Sequence, residues 1–120
     1  MSIITVLLTA VVALEHLYIM YLETVATQSA TTSRVFGLTE SELSRQSVSV
    51  LLKNQGIYNG LLALCLLYAL FISSTLEIVT LLVLFVIGAA SYGALSSSKK
   101  ILLTQGGPAL LALLSILIFR

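Results

Sequence analysis

The sequence predicts an all-α fold, an integral membrane four-helix bundle, and three observations carry that prediction. Hydrophobic residues make up 58% of the 120 and charged residues 9%, against roughly 45 to 50% and about 25% in soluble domains. The apolar residues gather into four blocks, each near the roughly 20 residues that a helix needs to cross a bilayer. Ionisable side chains inside those blocks are few, and the most conspicuous, Glu15 and His16, sit in the middle of the first. Such a composition excludes a water-soluble fold, and the whole chain, 1–120, reads as a single transmembrane domain whose solvent is lipid.

The first span is expected over residues 3–22, IITVLLTAVVALEHLYIMYL. It reads as a retained helix and not as a cleaved signal peptide. No basic segment precedes it, the apolar run continues past Glu15 to Leu22, and no small-x-small cleavage pattern follows. The polar connection 24–46 comes next. Within it Thr39 and Glu42 stand three apart, the spacing of a capping box that opens a helix, and that helix is expected to run on into the second span, 48–72. Ser73, Ser74 and Thr75 form a tight turn, which makes the third span, 76–94, an antiparallel neighbour of the second. The fourth span is expected over 101–119, with Pro108 just inside it. Proline cannot donate to the carbonyl four residues back, so the helix should bend or begin again around Gly106 and Gly107.

Four crossings place both termini on one side. The two connections on the other side hold Arg34, Arg45, Lys99 and Lys100, opposed by Arg120 alone. Basic loops face the cytoplasm, so both termini are expected outside. Gly56 with Gly60, and Ala89 with Gly93, repeat the small-xxx-small spacing that lets helix backbones approach closely in lipid. These pairs serve either the bundle itself or a homodimer. Tyr68 and Phe71 suit one membrane surface, Tyr21 and Tyr92 the other.

Several functions are disfavoured. A formal net charge of +1 offers no basic footprint for nucleic acid. The single cysteine, Cys65, permits no internal disulfide and reads as a small buried apolar residue. A metal or haem site would have to be built around the one histidine, so no metal is expected and no cofactor is indicated. No serine sits in a Gly-flanked nucleophile elbow, and Gly106 and Gly107 precede a proline and not the Lys and Ser or Thr of a phosphate loop.

What remains is a polar stripe. Helical spacing places Val12, Glu15, His16, Ile19 and Glu23 along one side of the first span. Glu15 and His16, being adjacent, diverge by about 100° and need partners from other helices. The second span supplies candidates in KNQGIYNG: Lys53, Asn54, Gln55, Tyr58 and Asn59, with Gln55 and Asn59 sharing a face. If Glu23 and Ser47 lie level at the cytoplasmic surface, a rise of about 1.5 Å per residue puts Glu15 and Gln55 both roughly 12 Å deep. Gln105 of the fourth span lies on the same side. The opposite halves of the four spans are nearly free of polar groups, so the expectation is a polar cup open to the cytoplasm and closed behind by aliphatic packing. Plainer roles stand beside it: Lys53 snorkelling to the interface, Gln55, Asn59 and Gln105 as interhelical hydrogen bonds, Glu23 as an exposed end residue, and Glu15 with His16 fixing helix register.

Four stretches, ALEHLYIMYLE at 13–23, FGLT at 36–39, NQGIYNG at 54–60 and KKILLTQGGPALLALL at 99–114, together resemble the small bacterial membrane proteins grouped as domain of unknown function 1304. The resemblance covers nearly the whole chain. It implies a four-span protein of the bacterial plasma membrane, assigns no activity, and its motif positions include Glu15, His16, Tyr18, Glu23, Asn54, Gln55, Tyr58, Asn59 and Gln105. The small multidrug exporters share the size and a first-span Glu, but this chain has no Trp and its surrounding motif differs.

Four readings follow. The first is binding of a small amphiphilic or polar-headed ligand in the cup, with membrane lipid as the standing partner. The second is acid and base catalysis on a lipophilic substrate by Glu15 and His16. The third is proton-coupled transport with Glu15 as the coupling site, and the fourth an accessory subunit of a membrane complex.

Overall fold

The computed structural model describes residues 1–96 and 102–119. Lys99, Lys100, Ile101 and Arg120 lie outside the described residues, and with them the basic pair of the second connection and the expected first residue of the fourth span. The helices are α1 (Ile3–Thr24), α2 (Ala30–Phe36), α3 (Glu40–Ser44), α4 (Gln46–Phe71) and α5 (Leu76–Ser96), then a π-helical segment at Leu102–Gly106 and α6 (Gly107–Phe119). No strand occurs among the described residues.

Three of these helices, α1, α4 and α5, are long and apolar enough to cross a membrane, and the apolar stretch Leu103–Phe119 is shorter. Four equivalent spans are therefore corrected to three long ones and a short one. The reason is local. Pro108 is the second residue of α6, in the first turn, where its missing N–H leaves no bond unmade. The α-helix restarts at Gly107, and the residues before it wind as a π-turn.

The chain falls into two compact units, Met1–Glu15 with Ala63–Arg120, and His16–Leu62. In the first, α5 packs against the π-helical segment and α6. Val79, Val83, Val86 and Ala90 line the buried side of α5, and Ala109, Ala112, Ser115 and Ile116 that of α6. Ala89 of the expected small-residue pair is exposed and Gly93 half-buried, because the packed stripe passes one residue further on, through Ala90. Ser115 ties α6 to the start of α1. Ser2 Oγ donates to Thr5 Oγ1 at 3.0 Å, Thr5 and Ser115 hydroxyls meet at 2.8 Å, and Ser115 Oγ donates to the Ala112 carbonyl at 2.7 Å. Each hydroxyl can thus donate once, leaving none of the three unsatisfied. Cys65, expected inside, is exposed. It lies on the outer side of α4 with Leu61, Leu64 and Tyr68, away from the buried Ala63, Leu66 and Leu70.

In the second unit the polar connection is a run of caps. α1 ends at Thr24, and a helix end leaves four carbonyls without intrahelical donors. Here hydroxyls supply two of them, Thr27 Oγ1 donating to Glu23 O at 2.8 Å and Thr32 Oγ1 to Leu22 O at 3.2 Å, while Thr24 Oγ1 donates back to Met20 O at 2.6 Å and Thr32 Oγ1 also to Ala26 O at 2.7 Å. The Val25 and Ala26 amides both reach Tyr21 O at 3.0 Å. Ser29 caps the N-terminus of α2 through the Thr32 amide, and Gly37 ends it with φ 67°, a left-handed conformation that glycine adopts without strain. The expected capping box is present at α3: Thr39 Oγ1 accepts from the Glu42 amide at 3.1 Å, and Glu42 Oε1 accepts from the Thr39 amide at 3.0 Å. That helix does not run on into α4. Arg45, at φ −70° and ψ 130°, is extended and separates the two.

Candidate functional site: an enclosed carboxyl and its amide partner

Two glycines set how α1 and α4 meet in the second unit. A Cβ on Gly56 would lie 2.6 Å from Thr24 Cγ2 and 3.0 Å from Glu23 Cβ, and one on Gly60 would strike the Met20 thioether. The absence of side chains at these two positions is what admits α1. The contacts also fix the antiparallel register, with Met20 opposite Gly60 and Thr24 opposite Gly56. Glu23 is therefore level with Gly56 and Asn59, not with Ser47. The expected depths of the second-span residues relied on a Glu23 and Ser47 pairing, which the register in this unit replaces.

At this close approach Glu23 is 0% exposed. Its Oε1 accepts a hydrogen bond from Asn59 Nδ2 at 2.6 Å, while Oε2 is enclosed and has no hydrogen-bond partner. No ion pair reaches the carboxyl among the described residues. An expected exposed end residue is thus the most enclosed acid of the chain. The cause is the threonine caps: they turn the chain back at Thr24 so that the last turn of α1 stays packed against α4.

The other sequence-derived candidates divide between the two units. His16 is buried in the same unit, and Tyr18 is exposed. Lys53, Asn54, Gln55 and Tyr58 are all exposed, Tyr58 to 75%. In the first unit Glu15 is half-buried with Oε1 enclosed and unpartnered, and Gln105 is half-buried. Of the ten residues assigned to a cup, Glu23 and Asn59 are joined by a direct side-chain bond. Thr24, Thr27 and Thr32, which position Glu23, carry a sequence signal that is easily read as loop: hydroxyl residues at spacings of three to five just past an apolar run, where a helix end needs donors.

The chemistry of the pair is limited and definite. The amide fixes one carboxyl oxygen, and the other, enclosed and unpartnered, is left to take a proton or a hydrogen-bond donor. A family model described as a protein of unknown function, DUF1304, matches residues 10–117. The chain belongs to this family. The matched range contains Glu15, Glu23, Asn59 and Gln105, and leaves Ser2 and Thr5 of the hydroxyl chain outside it. This DUF1304 chain is similar to the uncharacterized protein YpaA of Lactococcus lactis subsp. lactis (strain IL1403), at 61% identity over 116 residues, which cover 96% of this chain and 98% of the relative. No solved structure matches the chain.

Proposed function

We propose that this DUF1304 protein is an integral protein of the bacterial plasma membrane whose activity is coupled to a proton held on Glu23. The membrane part of the proposal is supported by α1, α4 and α5, whose exposed sides carry Leu7, Leu14, Leu61, Leu64, Leu81 and Phe85. Helices apolar on their outer faces as well as their packed ones are stable in lipid and sticky in water. Both termini lie outside, on the charge bias of the connections.

The observation that carries the proton assignment is the unpartnered Oε2 of a fully enclosed carboxyl. An enclosed acid that keeps one oxygen unpartnered carries a cost, about 1 to 3 kcal/mol for an orphaned buried acceptor, so its retention points to a working role. Glu23 takes the coupling role that the sequence suggested for Glu15, because Glu23 alone has an amide that fixes its orientation. A proton bound to this oxygen adds almost no volume, whereas an amphiphile's head would require the α1 and α4 contact to part.

Infrared difference spectra of the protein in bilayers at two pH values test the assignment. A protonated-carboxyl carbonyl band that responds to pH is expected in the wild type and in Glu15→Gln, and absent in Glu23→Gln. An unchanged band in Glu23→Gln overturns it.

A further inference from the structure

The exposed members of the NQGIYNG region form a second feature, distinct from the enclosed pair. Lys53, Asn54 and Gln55 are consecutive and exposed, and Tyr58 follows one turn on. None of the four has a side-chain hydrogen bond or ion pair among the described residues. Three polar side chains in a row, unpartnered on a helix that otherwise suits lipid, would be costly in hydrocarbon.

The register places them elsewhere. α1 has 22 residues, about 33 Å at 1.5 Å per residue, which matches a hydrocarbon thickness of about 30 Å. Its ends therefore mark the two edges of the hydrocarbon, and the edge at Thr24 is also the edge at Gly56, which packs against it. Everything in α4 before Gly56, ten residues or about 15 Å, stands out of the hydrocarbon. Lys53, Asn54 and Gln55 then occupy the first turn beyond the edge, at the level of phospholipid head groups. Tyr21 and Tyr58, 49% and 75% exposed, lie within one turn inside it, where aromatic side chains with a polar tip are favoured.

Charge selects among head groups. The cations among the described residues are Arg34, Arg45 and Lys53, all within 16–62, and Arg34 and Arg45 are exposed as well. Of the acids in that stretch, Glu23 is enclosed, Glu42 is bound into the α3 capping box, and Glu40 stands exposed. We propose that the emergent turn Lys53–Gln55 binds anionic phospholipids, with the Lys53 ammonium as counter-charge to a head-group phosphate and the Asn54 and Gln55 amides, which diverge around the helix by about 100° per residue, donating to neighbouring head groups. This rests on the membrane reading of α1 and is independent of the proton on Glu23.

Native mass spectrometry of the full chain in mild detergent, with phosphatidylglycerol or phosphatidylcholine added, tests it. Phosphatidylglycerol should be retained in preference, Lys53→Gln should weaken it about fivefold, as one juxtamembrane cation is worth, and Lys53→Arg should restore it. Equal retention of the two lipids, or no change in Lys53→Gln, overturns the assignment, and displacement by inorganic phosphate overturns the lipid as its ligand. Glu23→Gln should keep full retention, so failure here and failure at the enclosed carboxyl are told apart. Extraction of the wild type from vesicles by alkaline wash would count against the membrane reading itself.

Discussion

At the scale of single residues, enclosure makes Asn59 the partner on which Glu23 depends. Replacing Asn59 with Leu leaves both carboxyl oxygens without a donor, and an orphaned buried acceptor costs about 1 to 3 kcal/mol. We expect Asn59→Leu to lose about that much in a reversible detergent unfolding titration, and Glu23→Leu combined with Asn59→Leu to recover part of it, because the pair is then removed together. If the double variant is no better than Asn59→Leu, the carboxyl is not what the amide serves. Glu42 gives the pH-dependent case outside the membrane. Hydrogen bonds from the Thr39 amide and hydroxyl hold its carboxyl below the usual value of 4.5. A depressed acid stabilises the folded cap above its ordinary value and loses that stabilisation as pH falls through the depressed one. Thr39 amide exchange should therefore accelerate, beyond the intrinsic trend, only on acidification below 4.5, and Glu42→Gln should flatten the response.

At the scale of elements, the two glycines of α4 are not equivalent. A methyl at Gly56 meets Thr24 Cγ2, Glu23 Cβ and the Met20 carbonyl, whereas one at Gly60 meets only the Met20 side chain. Methionine can swing away, whereas the Thr24 methyl is held by the bond from its own hydroxyl to Met20 O and the Glu23 Cβ moves only with the backbone. Gly56→Ala is expected to cost about 1 to 3 kcal/mol, the usual range for overpacking, with Gly60→Ala clearly milder, both read by the same detergent titration. Equal costs would mean that the helices approach elsewhere. The spacing of Gly56 and Gly60, the capping box at Thr39 and the restart at Pro108 were all legible in the sequence, because each is a rule about residues a few positions apart. The register of α1 on α4 was not legible, since small-xxx-small spacing says that a neighbour comes close without saying which residue it brings. Glu23 was misjudged for that reason: its burial depends on Thr27 and Thr32 capping α1 from beyond its end, and on Gly56, 33 positions away. The cup suffered the same error. A stripe on one helix and a polar stretch on another were joined by an assumed common depth, and the polar stretch divides in the structure into one inward residue, Asn59, and four exposed ones.

At the scale of the whole molecule, the number of crossings turns on the short apolar stretch Leu103–Phe119. At about 1.5 Å per residue it reaches about 25 Å, a little under a hydrocarbon thickness of about 30 Å, yet about 17 residues is the lower end of what spans. A deficit of this size is met by local thinning of the bilayer at a modest cost. Leu110, Leu111, Leu114 and Leu117 are exposed on α6, an arrangement that suits acyl chains over the full length of the helix. The basic residues Arg34, Arg45, Lys99 and Lys100 in the two connections outnumber Arg120 at the end, and such a bias holds connections in the cytoplasm. We therefore expect four crossings with both termini outside. Single cysteines placed at residue 2 and after residue 120, in a Cys65→Ser background, should both react with a membrane-impermeant maleimide on intact cells, while one placed at residue 40 should react only after permeabilisation. A C-terminal cysteine protected on intact cells, beside a reactive N-terminal one, would show that α6 enters the membrane without crossing it, leaving three spans.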